Sequence, residues 1–164
     1  MIINLEEIFL HGKPLKIDHY PINIDVQDLP RQDIKNCKAE ACVSIEKVMS
    51  DVYLEAKVNL AFDCLCDNCV ESIKKNLSFS FKHLLVVKEE ADSDVDCISV
   101  KDYKLDLDSL IIEDIILEFP SKILCSNDCL GLCLKCGKNL NHGDCGCAKK
   151  SVDPRLEALK SWLY

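Results

Sequence analysis

Six cysteines fall between residues 125 and 147, in the run CSNDCLGLCLKCGKNLNHGDCGC. Thiols can staple a chain, react, or hold a soft metal as thiolates, and spacing together with redox compartment decides among these. Cys133-Leu-Lys-Cys136 has the spacing with which two thiolates grip one Zn²⁺, and Gly137 behind it permits the positive φ of a tight metal turn. Cys145-Gly-Cys147 follows shortly and completes a self-contained four-thiolate set. A second set consists of Cys66 and Cys69 with Cys125 and Cys129, across the segment 70–124. Coordination there would act as a clasp, tying an earlier hairpin to the cysteine-rich module and closing a long loop. Cys64 competes with Cys66 for a ligand place, but Cys66-x-x-Cys69 has the better spacing.

The remaining thiols, Cys37, Cys42, Cys64 and Cys97, read as small buried hydrophobes or surface thiols. His142 could replace a thiolate but reads as a loop histidine, because enough cysteines are present. Cys129-x-x-x-Cys133-x-x-Cys136 matches a radical-enzyme cluster motif, yet too little chain follows for the barrel such chemistry needs. Thiolates also serve iron–sulfur clusters, so spacing alone leaves iron open. A redox pair at Cys133 and Cys136 lacks a thioredoxin-like setting.

These cysteines need a scaffold. A chain of 164 residues that is 48% hydrophobic can build a core without disulfides. The first residues, MIINLEEIFLHGK, lack an export signal's basic leader and apolar length, so the expected compartment is the cytoplasm, where thiols stay reduced. No stretch has membrane-spanning length. The net charge of −8 opposes a general electrostatic grip on nucleic acid, and eight thiolates around two Zn²⁺ ions would take it to −12.

Residues 15–26 alternate enough for a strand, whereas 29–44 have no firm period and read with them as strands and a loop. From Val52 to Cys66 every second residue is apolar, the pattern of a long half-buried strand. The alternation resumes from Leu77 to Val87, so the two runs form a hairpin whose tip carries Cys66 and Cys69. The acidic residues 88–96 read as a solvated loop. A helix is expected at about 107–119, capped by Asp106 or Asp108 and stopped by Pro120. Asp153 and Pro154 open a short C-terminal docking helix with Leu156, Leu159 and Leu163 on one face. The expected fold is α+β: an antiparallel sheet domain with its helix at 1–120, a zinc-ribbon-like module at 121–150 and the docking helix at 151–164. No phosphate loop, dinucleotide fingerprint or zinc-protease helix occurs, and closed tetrahedral sites leave no place for activated water, so a non-enzyme with no evident small-molecule substrate is expected.

CDNC at 66–69, the stretch from Leu105 through CSNDCLGLCLKCGKNLNHGDCGC, and DPRLEALK at 153–160 together resemble the YceD-like family, proteins associated with accumulation of large-subunit ribosomal RNA. The cysteine-rich block resembles the branch with a C-terminal zinc-ribbon-like module. The resemblance implies a role in maturation or protection of precursor large-subunit RNA, with that RNA or a large-subunit ribosomal protein as partner. A local basic rim for RNA would be Lys74 and Lys75 behind the hairpin tip with Lys135, Lys138, Lys149, Lys150 and Arg155 around the ribbon. The competing expectation is a zinc-stabilised protein–protein adaptor outside ribosome assembly, in keeping with the net acidity and the lack of stacking aromatics in the ribbon.

Overall fold

A computed structural model describes residues 1–87 and 97–147. The acidic loop expected at 88–96 and the helix expected at 151–164 lie outside the described residues. The described chain forms two compact units: residues 1–66 with 71–123, and residues 67–70 with the chain from 124 onward.

The first unit is α+β. It runs β1 (Ile2–Asn4), α1 (Glu6–His11), β2 (Leu15–Ile22), a 3₁₀ turn (Val26–Asp28), β3 (Lys35–Val48), β4 (Asp51–Leu65), β5 (Ser72–Val87), β6 (Cys97–Val100), β7 (Lys104–Asp106) and α2 (Leu107–Glu118). One sheet has the order β2-β3-β4-β5-β6, antiparallel except for the parallel β5–β6 pair, and β1 pairs with β7 in a separate ribbon. β4 sits at the centre of the larger sheet, and its alternation is realised residue by residue: Val52, Leu54, Ala56, Val58, Leu60, Phe62 and Cys64 are all buried. Its pairing with β5 runs without a slip from Val52↔Leu85 to Leu65↔Ser72, which fixes the hairpin tip at residues 66–71.

α2 covers the core face of this unit. Leu107, Leu110, Ile111 and Ile115 recur at helical spacing as one buried stripe, while Leu117 is 83% exposed on the other side. Asp106 stands at the N-cap position and its carboxylate accepts a hydrogen bond from the Ser109 hydroxyl at 3.2 Å. His83 Nε2 and Asp114 Oδ2 meet at 2.7 Å and pin α2 to β5.

Two elements differ from what periodicity suggests. β3 is a 14-residue strand, irregular between Lys35 and Lys38 where Asn36 is left-handed, whose Ala39, Ala41, Val43 and Ile45 are buried, although its stretch carries no firm period. The buried side is built partly of alanine and the exposed side carries Cys42, so polarity contrast between the faces is low. α1 has six residues, too few to show a helical repeat, and ends on left-handed Gly12.

Candidate metal centres

The end of β4 is held by an ion pair. The Asp33 carboxylate receives both the Arg31 guanidinium and the Leu65 amide, the latter at 2.8 Å, while Arg31 Nη2 donates to the Leu65 carbonyl at 3.1 Å. The Arg31 hydrogen bonds, helped by the Leu65 amide and opposed by burial, hold the Asp33 carboxyl at about 2. The last residue of β4 is therefore fixed at both its amide and its carbonyl, immediately before Cys66. Cys66 in turn donates its backbone N–H to the Glu71 carbonyl at 2.9 Å, closing the turn.

The turn itself follows the geometry of a metal knuckle. In Cys133-x-x-Cys136-Gly137 the residue after the second cysteine has φ +73°, and in Cys66-x-x-Cys69-Val70 it has φ +60°. The same left-handed backbone is thus adopted once by glycine and once by a β-branched residue, for which it is strained. Val70 is 55% exposed and gives up little packing if removed. Val70→Gly should stabilise the metal-loaded protein by about 1 kcal/mol, the strain relieved less the added freedom of glycine in the unfolded chain. Denaturant unfolding at saturating metal checks this.

Cys125 and Cys129 complete the first group. The Sγ atoms of Cys66, Cys69, Cys125 and Cys129 all lie within 4.8 Å of one another, with Cys69 and Cys125 at 3.7 Å. Within the second unit the 125–131 loop approaches the knuckle closely: a Cβ on Gly131 would stand 3.1 Å from the Asn68 carbonyl oxygen, and Gly131 has φ +73°. Asn141 fixes this loop. Its Oδ1 accepts from the Leu130 amide at 2.8 Å and its Nδ2 donates to Cys129 Sγ at 3.3 Å. That hydrogen bond leads the causes that lower the Cys129 thiol.

The second group is Cys133, Cys136, Cys145 and Cys147, again with all four Sγ atoms within 4.8 Å. The Cys133 amide donates to the Lys138 carbonyl and the Gly137 amide to the Cys133 carbonyl, both at 2.8 Å, so the backbone wraps back on the first ligand. Leu132 and Asn139 bridge as an isolated antiparallel pair, and Leu140–His142 forms a single 3₁₀ turn behind an Asn139 cap. The amides of Cys136 and Lys135, in that order, hold the Cys133 thiol at about 6. The Cys147 thiol is pushed up to about 12, chiefly by its hydrogen bonding with the Cys136 and Cys145 thiols. Thiols packed in this way do not all ionise at neutral pH alone, and a divalent cation would supply the missing charge.

The donor chemistry fits such a cation. Tetrahedral Zn–S bonds of about 2.3 Å separate their sulfurs by about 3.8 Å, close to the Cys69–Cys125 spacing and far from a disulfide's ~2.05 Å. The twelve cysteines are all free of disulfides. Among the described residues these are the two groups able to hold an ion, and His142, exposed on its 3₁₀ turn, belongs to neither. Cys64 points into the sheet core. The two groups differ in cover: Cys66 and Cys69 are buried, whereas Cys136 is exposed and its three companions are half-buried.

The basic residues are placed as follows. Lys74 lies opposite Asp63 and Lys75 opposite Phe62 in the first unit. Lys135 and Lys138 are exposed in the second, where Lys138 Nζ donates to the Asp144 carbonyl at 2.9 Å. Lys149, Lys150 and Arg155 lie outside the described residues. Spacing of cysteines does not reveal Arg31, Asp33 and Asn141, which act on the ligands from other segments. The one signal for Asn141 is the Asn-x-Asn pair at 139–141, a turn-forming pattern whose first side chain accepts from the Asn141 amide at 2.9 Å.

No helix among the described residues is long and apolar enough to cross a membrane. Comparison with known proteins finds a match over residues 54–162 to the family model described as large ribosomal RNA subunit accumulation protein YceD. An uncharacterized protein of Mycobacterium leprae is 27% identical over 100 residues, 58% of this chain and 46% of that protein. A chloroplastic protein of Arabidopsis thaliana, large ribosomal RNA subunit accumulation protein YCED homolog 1, is 24% identical over 159 residues, 79% of this chain and 48% of that one. An uncharacterized protein of Mycobacterium tuberculosis is 26% identical over 123 residues, 73% and 59% of the two chains. The chain spans about half the length of the curated relatives it matches. No solved structure matches it.

Proposed function

This chain belongs to the YceD family of large ribosomal RNA subunit accumulation proteins, and from that membership we propose that it is a non-enzymatic zinc-binding factor supporting maturation or accumulation of large-subunit ribosomal RNA. It acts in the cytoplasm by binding precursor RNA or an assembling large-subunit ribosomal protein. The observation that carries this reading is the family match over residues 54–162, which takes in both cysteine groups. Four soft donors per group suit Zn²⁺ in a closed structural site, with every coordination position filled by protein. The proposed ligands are Cys66, Cys69, Cys125 and Cys129 for one ion and Cys133, Cys136, Cys145 and Cys147 for the other. Contacts to RNA phosphates fall to Lys74, Lys75, Lys135, Lys138, Lys149, Lys150 and Arg155.

A second reading, an adaptor between proteins outside ribosome assembly, is favoured by the ribbon's exposed Leu130 and Leu134, which flank a groove also lined by Leu132 and Leu140. Ultraviolet crosslinking of the tagged protein in its own cells separates the two. Enrichment of precursor large-subunit RNA, together with a fall in the ratio of large- to small-subunit RNA on deletion, is the expected result. Protein crosslinks without RNA, and an unchanged ratio, would replace the first reading by the second.

A further inference from the structure

The two edges of the five-stranded sheet are finished differently. β2 carries a register break between Ile17 and Tyr20, a left-handed His19 and then Pro21, features that deny a further strand a straight template. At the other side β6 covers only Leu84–Val87 of β5. Among the described residues Ser72–His83 of β5 therefore has a strand partner on one side alone. This segment has no proline, no positive φ and no slip against β4. Its Ile73, Leu77 and Phe79 face the core side yet stay half-buried. An uninterrupted edge of this length is a template for pairing, and among the described residues its lysines are the protection it carries.

Two of the three lysines, Lys74 and Lys82, already have acidic neighbours within the sheet, and Lys75 stands opposite Phe62. Lys82 Nζ is 2.9 Å from Glu55, and Lys74 stands opposite Asp63. Surplus positive charge thus does not recruit an acidic strand, and what remains is the fit of the edge to itself. When a second β5 is laid antiparallel with Leu77 opposite Leu77, the core side pairs Ile73 with Phe81 and Lys75 with Phe79. On the outer side Lys74 meets Ser80, Asn76 meets Ser78 and Ser72 meets Lys82. No lysine faces a lysine, and the apolar residues meet each other or an alkyl stem. We infer that this chain forms a two-fold dimer by pairing the β5 edges about Leu77, joining two sheets into one. Such an interface is isologous, each edge giving and receiving the same contacts.

Sedimentation of the full-length metal-loaded chain from low- to high-micromolar concentration tests this, and a dimer is expected. Leu77→Lys places two charges on the two-fold axis and should weaken the dimer at least about tenfold, with unchanged circular dichroism and metal content. A photocrosslinking side chain at Asn76 provides a check that does not depend on that variant and should join to residues around Ser78 of the second copy. A wild-type monomer throughout the range, a folded Leu77→Lys chain that dimerises as before, or crosslinks away from β5 would each overturn the inference.

Discussion

Cys133→Ser should, on the proposed two-zinc reading, cost the protein one metal ion per chain and leave the ribbon unfolded, while the sheet keeps its circular dichroism. The size of the effect follows from how little else holds this segment. Among its described residues beyond Gly131 the regular structure is one isolated bridge and one 3₁₀ turn, and the nearby Leu130 and Leu134 are 67% and 79% exposed. Apolar burial of that extent cannot offset the conformational entropy of the segment. On the proposed reading coordination supplies the difference, and structural zinc in small peptides binds with about 10–16 kcal/mol at neutral pH. Metal analysis and amide chemical shifts over residues 130–147 read the outcome. Two zinc ions per chain and native shifts in the variant would contradict this account of the ribbon.

Ile111→Ala should lower the stability of the first unit by about 2–5 kcal/mol with zinc content unchanged. Ile111 is fully buried in the α2 stripe, inside a core cluster with Leu54, Leu60 and Leu107. Truncation removes three carbons from a site that the paired strands beneath cannot collapse to fill. Leu117→Ala on the same helix, at a residue 83% exposed, should change stability by less than about 0.5 kcal/mol. Urea unfolding followed by far-ultraviolet circular dichroism compares the two. Equal effects would mean that α2 is not packed by its Leu107–Ile115 face.

How much of this architecture can be read from the sequence depends on contrast between faces. β4 is legible because large apolar residues alternate with Glu55, Lys57, Asn59 and Asp63 over its whole length. α2 is legible from its isoleucines and Pro120. β3 is hard to see because Ala39 and Ala41 inside resemble Cys42 outside in size and polarity. The parallel placement of β6 depends on pairing between distant segments and leaves no local mark. The same contrast governs the metal centres. Chain spacing picks out Cys66-x-x-Cys69 and Cys133-x-x-Cys136 as local knuckles, and the sulfurs of the two groups that contain them lie within 4.8 Å of one another. The groups that steer those sulfurs, Arg31 with Asp33 through Leu65 and Asn141 through Leu130, reach their targets across 32 and 11 residues, so no local pattern announces them.

The order of the ligands along the chain also sets a timetable for synthesis. The ribbon's four thiols span only residues 133–147, so they emerge from a translating ribosome within about one to three seconds of each other at ordinary elongation rates. Cys66 and Cys69 emerge some 60 residues ahead of Cys129, so they wait roughly three to twelve seconds as a bare dithiol before the first centre can close. During that interval the nascent hairpin offers two adjacent nucleophiles to any oxidant or stray copper ion. The two cysteines buried in the finished protein are thus the vulnerable ones at birth.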